Sequence, residues 1–463
     1  MKNLIANYKK LDKQRQITWL VFGLVAIVYY FTLMFTDIWI TYEHSLSLLD
    51  CIRSGNLLGF YSYTVDHTYG NLPATYFIPI YFLFGLWNLP CWIVTRFFGV
   101  STTTVGCLLW AKTMLVLFFL LSVREFLIIY RKLQIENEER TLFTLCSSMF
   151  VALPILALAQ YDIIELFFIL WGLRVFLEEE KLSFKVLLIF SVGISFKAYA
   201  VFVFMILLLH VEKNPFVIIR DLIIGAAFSI LILMPFIRGF FAASSSCNSN
   251  FIEQWLSLRI DMGWDAEISV FFLLIFLTGV VAYMLKSENI LDAISTVIYL
   301  SLIVWIVFFS TTFTSSHWVI LMAPFLIFVL AGNDKYYQLN SVVEIVLEVA
   351  FVLAQAYTRP QLFFNEHSFE HLLMKGLPRT NNIISSYARA IEFTIIGRGE
   401  AVFFALFVAC AIAILVINNV YGKGSFFTTE KEKMESVDIR SRWIRIGLLI
   451  LYYIVTLWNA YLI

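Results

Sequence analysis

Charge is what this chain has least of. Only 14% of its 463 residues are Asp, Glu, Lys or Arg, 60% are hydrophobic, and the mean hydropathy is +0.83. Soluble domains carry about 25% charged residues, so too little polar surface is present to coat a water-soluble globule of this size. The chain therefore reads as an all-α integral membrane protein. Its 33 basic residues cancel its 33 acidic ones, which leaves no global field to attract nucleic acid and excludes that class of partner. The six cysteines, at 51, 91, 107, 146, 247 and 410, include no CxxC pair and have no His nearby at ligand spacing, so neither a disulfide framework nor a zinc site is indicated. No long polar stretch separates the apolar runs, which excludes a separate soluble catalytic domain and leaves any chemistry to outer loops set against the membrane core. No inverted repeat of the carrier type is visible either.

What is abundant is apolar sequence at membrane length. A hydrocarbon core of about 30 Å needs about 20 apolar residues in a helix, and the runs in this chain predict a bundle of roughly 11–13 transmembrane helices. The first run, 17–35, follows Lys9, Lys10, Lys13 and Arg15 and lacks a small-residue cleavage site, so residues 1–16 are expected to be a cytoplasmic N-terminus ahead of a retained anchor. Basic residues at Arg131-Lys132, Lys181, Lys213, Lys286, Lys335 and within 423–442 mark cytoplasmic turns. Segments 36–75, 160–162, 242–267, 313–317 and 358–399 are then outer loops. Between Asp37 outside and Arg131 inside the number of crossings must be odd, yet two apolar runs, 76–97 and 105–130, lie between them. Pro79 and Pro90 interrupt the first, which is expected to be re-entrant or interfacial. Run 183–211 is expected to be two half-length helices meeting near Lys197.

The residues able to carry chemistry cluster toward the outer loops. If the first span continues as a helix, Asp37, Thr41 and His44 share one face at the bilayer boundary, beside Glu43, and Ser45–Gly55 follows as an interfacial amphipathic helix. Asp162 and Glu165 stand where two apolar runs meet at Gln160-Tyr161-Asp162, with helix capping as the structural alternative. Lys197 is a cation within an apolar run, which either snorkels or takes an anion, and a lipid-linked phosphate is an attractive one. Arg238 and His317, near the ends of other spans, could reach the same anion. His367 and His371 stand at i, i+4 with no acidic residue at HExxH spacing, so no metal is assigned to them. Glu344 and Glu348 fit either a proton relay or a structural partner inside the bundle.

Four features together resemble the polytopic glycosyltransferases of the C-type fold, which take sugar from a polyprenyl-phosphate donor. They are Asp37 in Thr36-Asp37-Ile38-Trp39; the entry Leu72-Pro73 through Pro79 after an interfacial helix; the turn Gln160-Tyr161-Asp162 before an apolar helix; and Ser195-Phe196-Lys197-Ala198 between two half-spans. His317-Trp318 ahead of Pro324 is similar to the family's pattern too. The likeness is concentrated in 36–200. It departs from the pattern in having no Glu directly after Asp37 and no Asp-x-Asp pair, so a divalent metal stays open while no other cofactor is expected.

The resemblance implies a catalytic membrane module at 17–211 with outer loop 36–75, and variable C-terminal helices at 212–463 with outer loop 358–399. It implies an inverting hexosyltransferase that moves sugar from a polyprenyl-phosphate donor to a glycan or lipid-linked acceptor on the non-cytoplasmic face, and the compact size and plain membrane architecture point to a bacterial cytoplasmic membrane. Asp37 would be the base, Asp162 would orient the acceptor, and Lys197 with Arg238 or His317 would stabilise the departing phosphate. His44, Glu43 and Glu165 would complete the substrate site. A polysaccharide polymerase or ligase, and a transporter or flippase of lipid-linked sugars, are the alternatives.

Overall fold

The computed structural model describes residues 11–34, 36–68, 72–102, 104–246, 256–263, 266–312, 314–358, 399–419 and 431–461. The expected loop 358–399, with His367 and His371, lies almost wholly outside the described residues. Helices follow one another in chain order: α1 Lys13–Thr32, α2 Thr36–Arg53, α3 Phe60–His67, α4 Ile78–Phe98, α5 Val105–Lys132, α6 Glu138–Ser147, α7 Met149–Ala152, α8 Asp162–Glu179, α9 Phe184–Phe196, α10 Ala200–Val211, α11 Pro215–Leu233 and α12 Ile237–Ser246. A small antiparallel hairpin, β1 Arg259–Asp261 and β2 Glu267–Ser269, precedes α13 Val270–Met284, α14 Ile290–Thr311, α15 Ala323–Ala331, α16 Tyr337–Thr358, α17 Gly399–Ile417 and α18 Lys431–Tyr461.

Among the described residues seven helical segments are long and apolar enough to cross a membrane, or eight if the bent pair Glu138–Ser147 and Met149–Ala157 is one span. That makes this a multi-pass, helical membrane protein by length and composition. The count is below the expected 11–13 because several apolar runs are shorter helices, Phe184–Phe196, Ala200–Val211, Val270–Met284 and Ser316–Ala331 among them. Local sequence sets the boundaries. Asp12 caps α1 by accepting from the Arg15 N–H at 2.9 Å, Ser183 caps α9, Asn214 followed by Pro215 opens α11, and Gly99 at φ 70° closes α4.

The chain divides into two compact units whose segments alternate along the sequence. Both 17–211 and 212–463 contribute to each of them. One unit comprises residues 1–35, 135–158 and 322–463. Here α1 packs on α18, with the Tyr29 hydroxyl donating to the Leu449 carbonyl at 2.6 Å, and α16 packs on α17 through reciprocal Asn340–Asn418 amide bonds of 2.9 Å. Buried charges tie the remaining helices. Arg442 is bidentate on Glu139 (2.8 and 2.6 Å), and Arg445 is bidentate on Glu344 while its Nη1 lies 3.7 Å from Glu348. Glu348 in turn accepts from the Ser148 hydroxyl and, at 3.1 Å, from the Met149 N–H, so its carboxylate meets the exposed amides where α6 breaks into α7.

The other unit comprises residues 36–134 and 159–321. Within it α5 and α8 run in the same direction, since Phe118 meets Phe167 and Glu125 meets Arg174. Helix α9 approaches α8 closely at Gly172, where any Cβ would come within 2.6 Å of the Phe190 ring. Helix α4 runs against α5, clasped by stacked Trp87 and Trp110, each indole N–H donating to the other's carbonyl at 2.8 and 2.7 Å. Helix α2 lies parallel to α4, with Ser45 bonded to Asn88 and Asp50 to Trp92. The expected proline breaks at 79 and 90 do not occur. Pro79 sits in the first turn, where no amide is needed, and Pro90 lies inside an unbroken helix of 21 residues. Nor does α1 continue into the Asp37 segment: it ends at Thr32, and a separate helix starts at Thr36. The expected interfacial helix 45–55 is the second half of that same α2, and its residues 44–48 are buried.

Candidate functional site

The unit of 36–134 and 159–321 brings four sequence-distant pieces to the first turn of α8. The approach to that turn is shaped by Ala159, which holds φ 53°, a left-handed conformation costly for a residue with a Cβ. Gln160, Tyr161 and Asp162 follow, all buried. Gln160 Nε2 donates to Asp37 Oδ2 at 3.4 Å, which links the start of α2 to the start of α8.

Asp162 faces the break between α9 and α10. Lys197 is extended there, at φ −157° and ψ 140°, because the run cannot stay helical through it and still bring the ammonium to a carboxylate. Lys197 Nζ forms an ion pair with Asp162 Oδ1. The two half-helices expected around Lys197 are thus present, and the lysine pairs internally rather than snorkelling. Four rings surround its ammonium: Trp318 at 4.4 Å from the centroid, Tyr199 at 5.2 Å, and Tyr76 and Tyr161 at 5.7 Å each. Among the described residues Asp162 Oδ2 has no hydrogen-bond partner, and it stands 3.8 Å from His317 Nε2. Glu165, one turn further along α8, accepts from the Ala200 N–H and so satisfies the first turn of α10.

Burial pushes the Asp37 carboxyl up to about 6, against the opposing pulls of the Gln160 amide and the Lys197 charge and with a further push from Asp162. The carboxylate is hemmed in by protein although the residue keeps some exposed surface. An acid of this kind is mostly ionised near neutrality yet basic enough to take a proton. Burial among the same groups holds the Tyr76 phenol well above its ordinary range, so it remains a hydroxyl donor.

Asp37, Asp162, Glu165, Lys197 and His317 are therefore gathered by the fold. His44, Glu43 and Arg238 are not. His44 is buried against Tyr81, its Nε2 bonded to the Leu72 carbonyl at 2.9 Å, and burial lowers its pKa to about 4, so it is a neutral tie between α2 and the segment leading to α4. Glu43 accepts from Trp39 Nε1 at 3.0 Å on a face of α2 turned away from that of Asp37. Arg238 is exposed, because its helix buries Phe240 against Tyr61 and turns the guanidinium outward. Sequence reasoning missed Tyr199 and used Gln160, Tyr76 and Trp318 only as parts of a pattern. In a chain that is 17% aromatic, a ring carries no local signal of its role.

Among the described residues no group of three or more His, Cys, Asp or Glu is placed to hold a metal ion. No protein-family model, curated protein or solved structure matches this chain.

Proposed function

We propose that this protein is a membrane glycosyltransferase that moves a sugar from a polyprenyl-phosphate donor to a glycan or lipid-linked acceptor, on the non-cytoplasmic face of a bacterial cytoplasmic membrane. One observation carries the reading: a base with a pKa of about 6, Asp37, accepts from the Gln160 amide two residues before Asp162, which pairs with the buried cation Lys197 whose charge also acts on Asp37. A sugar on a lipid phosphate already has a good leaving group, so the reaction needs a base for the acceptor and a positive charge for the phosphate.

Asp37 takes the acceptor hydroxyl's proton as that oxygen bonds to the anomeric carbon. The bond from that carbon to the phosphate oxygen breaks on the opposite face, with inversion, and the polyprenyl phosphate departs carrying the electron pair. Lys197 supports the charge that grows on it, joined by His317 when protonated. Asp162 then has two tasks. Without substrate it is the counter-ion that keeps Lys197 buried; with substrate it yields part of that ammonium to the phosphate, and its unpaired Oδ2 becomes an acceptor for a substrate hydroxyl. The four rings favour a cation held in place and offer apolar faces to a pyranose.

The deciding experiment is the mass profile of cell-surface glycans and lipid-linked intermediates in cells carrying wild-type protein, Asp37→Asn, or none. Loss of one discrete sugar mass in both defective strains supports single transfer, and collapse of a long ladder to one repeat assigns a polymerase. An unchanged profile for Asp37→Asn beside a changed one for the null removes Asp37 as base. A transport reading draws on a separate observation, Glu348 at the broken helix α6–α7 with Arg445 and Glu344 beside it, an arrangement also used to hold ions in discontinuous membrane helices.

A further inference from the structure

The far end of α2 carries a second site. Sixteen residues beyond Asp37, or about 24 Å along a helix, a cavity of about 570 Å³ opens between the ends of α2, α3 and α4, lined by Asp50, Arg53, Ser54, Tyr63, His67 and Arg96. Among the described residues Asp50 is the one carboxylate that lines it, and its oxygens are already engaged. Asp50 accepts from Trp92 Nε1 at 2.9 Å and from Arg96 Nε at 3.1 and 3.2 Å, with Arg96 Nη2 closing the fork. Arg53 is exposed, lies 5.3 Å from the centroid of the Phe97 ring, and bonds to no carboxylate among the described residues. Tyr63 and His67 stack at 3.8 Å and make a flat wall, with one His67 ring nitrogen on the Tyr63 carbonyl. Glu43, in the adjoining cavity, is bonded to Trp39. What faces the space is a guanidinium, the remaining N–H groups of a second one, an imidazole and two hydroxyls, which is the donor set for a phosphate.

Its height in the membrane follows from α5. That helix has 28 residues, about 42 Å at 1.5 Å per residue, enough to cross the hydrocarbon and both headgroup layers. Arg131 and Lys132 mark one end. The Trp87–Trp110 clasp and the Cys91–Cys107 thiol contact set α4 antiparallel beside the other end, so Arg96 stands toward the end of α5 opposite Arg131 and Lys132. Beside it Phe97 and Phe98 are 60% and 75% exposed, as rings at an acyl boundary are.

We propose that this cavity binds a phosphate group, presented as the headgroup of an anionic lipid, with Arg53 and Arg96 as its charged ligands and Phe97 and Phe98 against the acyl chains. The site is distinct from the Asp37 cluster and does not rest on the glycosyl-transfer reading. The test is native mass spectrometry of the full chain in detergent, titrated in separate arms with dioleoylphosphatidylglycerol, dioleoylphosphatidylcholine and inorganic phosphate. Wild-type protein retains phosphatidylglycerol over phosphatidylcholine, and Arg53→Glu, at an exposed position, weakens that retention on the order of tenfold while leaving phosphatidylcholine unchanged. Saturation by inorganic phosphate alone, lost in Arg53→Glu, keeps the phosphate site and assigns it to a free anion. Equal retention of the two lipids with no phosphate binding, or an Arg53→Glu variant that binds as wild type does, overturns the proposal. Melting temperature verifies that the variant is folded, and His67→Ala, expected to weaken phosphatidylglycerol in the same direction, provides an independent change.

Discussion

Replacing Asp37 by Asn should remove activity and stabilise the protein, a pairing that few surface or core substitutions produce. The Asp37 carboxyl rises from 3.8 to about 6 in the folded chain. A raised carboxyl pKa means that the native state holds the proton more tightly than the unfolded state does. Stability from this group is therefore full below pH 3.8 and is lost as pH climbs through 6. Above that range the ionised carboxylate costs up to about 3 kcal/mol, from roughly two pK units at 1.36 kcal/mol each. Asparagine is neutral at every pH and keeps an oxygen for the Gln160 amide, so Asp37→Asn should melt a few degrees above wild type at pH 7 and level with it near pH 4. Catalysis goes the other way. With no base, transfer should fall by about 10² to 10⁴, and the wild-type rate should itself drop about tenfold from pH 7 to pH 5 as the carboxylate takes up its proton. The assay is a melting curve at the two pH values on purified protein, beside transfer in membranes from the same cells. A variant less stable than wild type at pH 7, or one that keeps its transfer, would refute the burial argument or the base assignment respectively.

Other substitutions probe the same neighbourhood and its scaffold. Lys197→Met leaves Asp162 buried without its cation and should cost about 3–5 kcal/mol; adding Asp162→Asn should recover most of it, as denaturant melts of the two variants would show. Ala159→Gly relieves a left-handed backbone at φ 53° and should gain about 1 kcal/mol in the same melts with transfer unchanged. Glu165→Ala strips the acceptor from the Ala200 amide and should cost about 1–2 kcal/mol, whereas Glu165→Gln should lose much less if the role is that of a cap. Glu348→Ala should destabilise by about 1–3 kcal/mol through the unsatisfied Met149 amide and Ser148 hydroxyl; a glycan profile that stays normal in that variant would argue against the transport reading.

Legibility in the sequence followed how local each cause was. A lysine in an apolar run too long for one span and too short for two full ones forces a break, and the break is where the structure has it. Asp162 and Glu165 declared themselves by standing at a turn with little else polar around them. His44 was opaque because its partner is a backbone carbonyl 28 residues away, and no side-chain pattern announces a carbonyl. Arg238 misled because the sequence shows that a cation ends a helix but not which way the helix face is turned. Helix lengths have the same origin: an apolar run marks a helix but not its ends, and the chain forms shorter apolar helices at 184–196, 200–211, 270–284 and 316–331. The interleaving of the two units, with 135–158 belonging to one and the residues on either side to the other, depends on contacts across long sequence separations that periodicity does not encode.

The break at Lys197 bears on how the chain enters a bilayer during synthesis. Helices of 13 and 12 residues, α9 and α10, reach only about 20 Å each, short of the hydrocarbon thickness, and a free ammonium at their junction would oppose entry of either one. Both groups that settle the junction, Asp162 for the ammonium and Glu165 for the Ala200 amide, lie 35 residues earlier in the first turn of α8. That turn leaves the ribosome first. The half-helices can then partition as one hairpin against a waiting helix, their charge neutralised on arrival, so the order of residues along the chain doubles as an order of assembly.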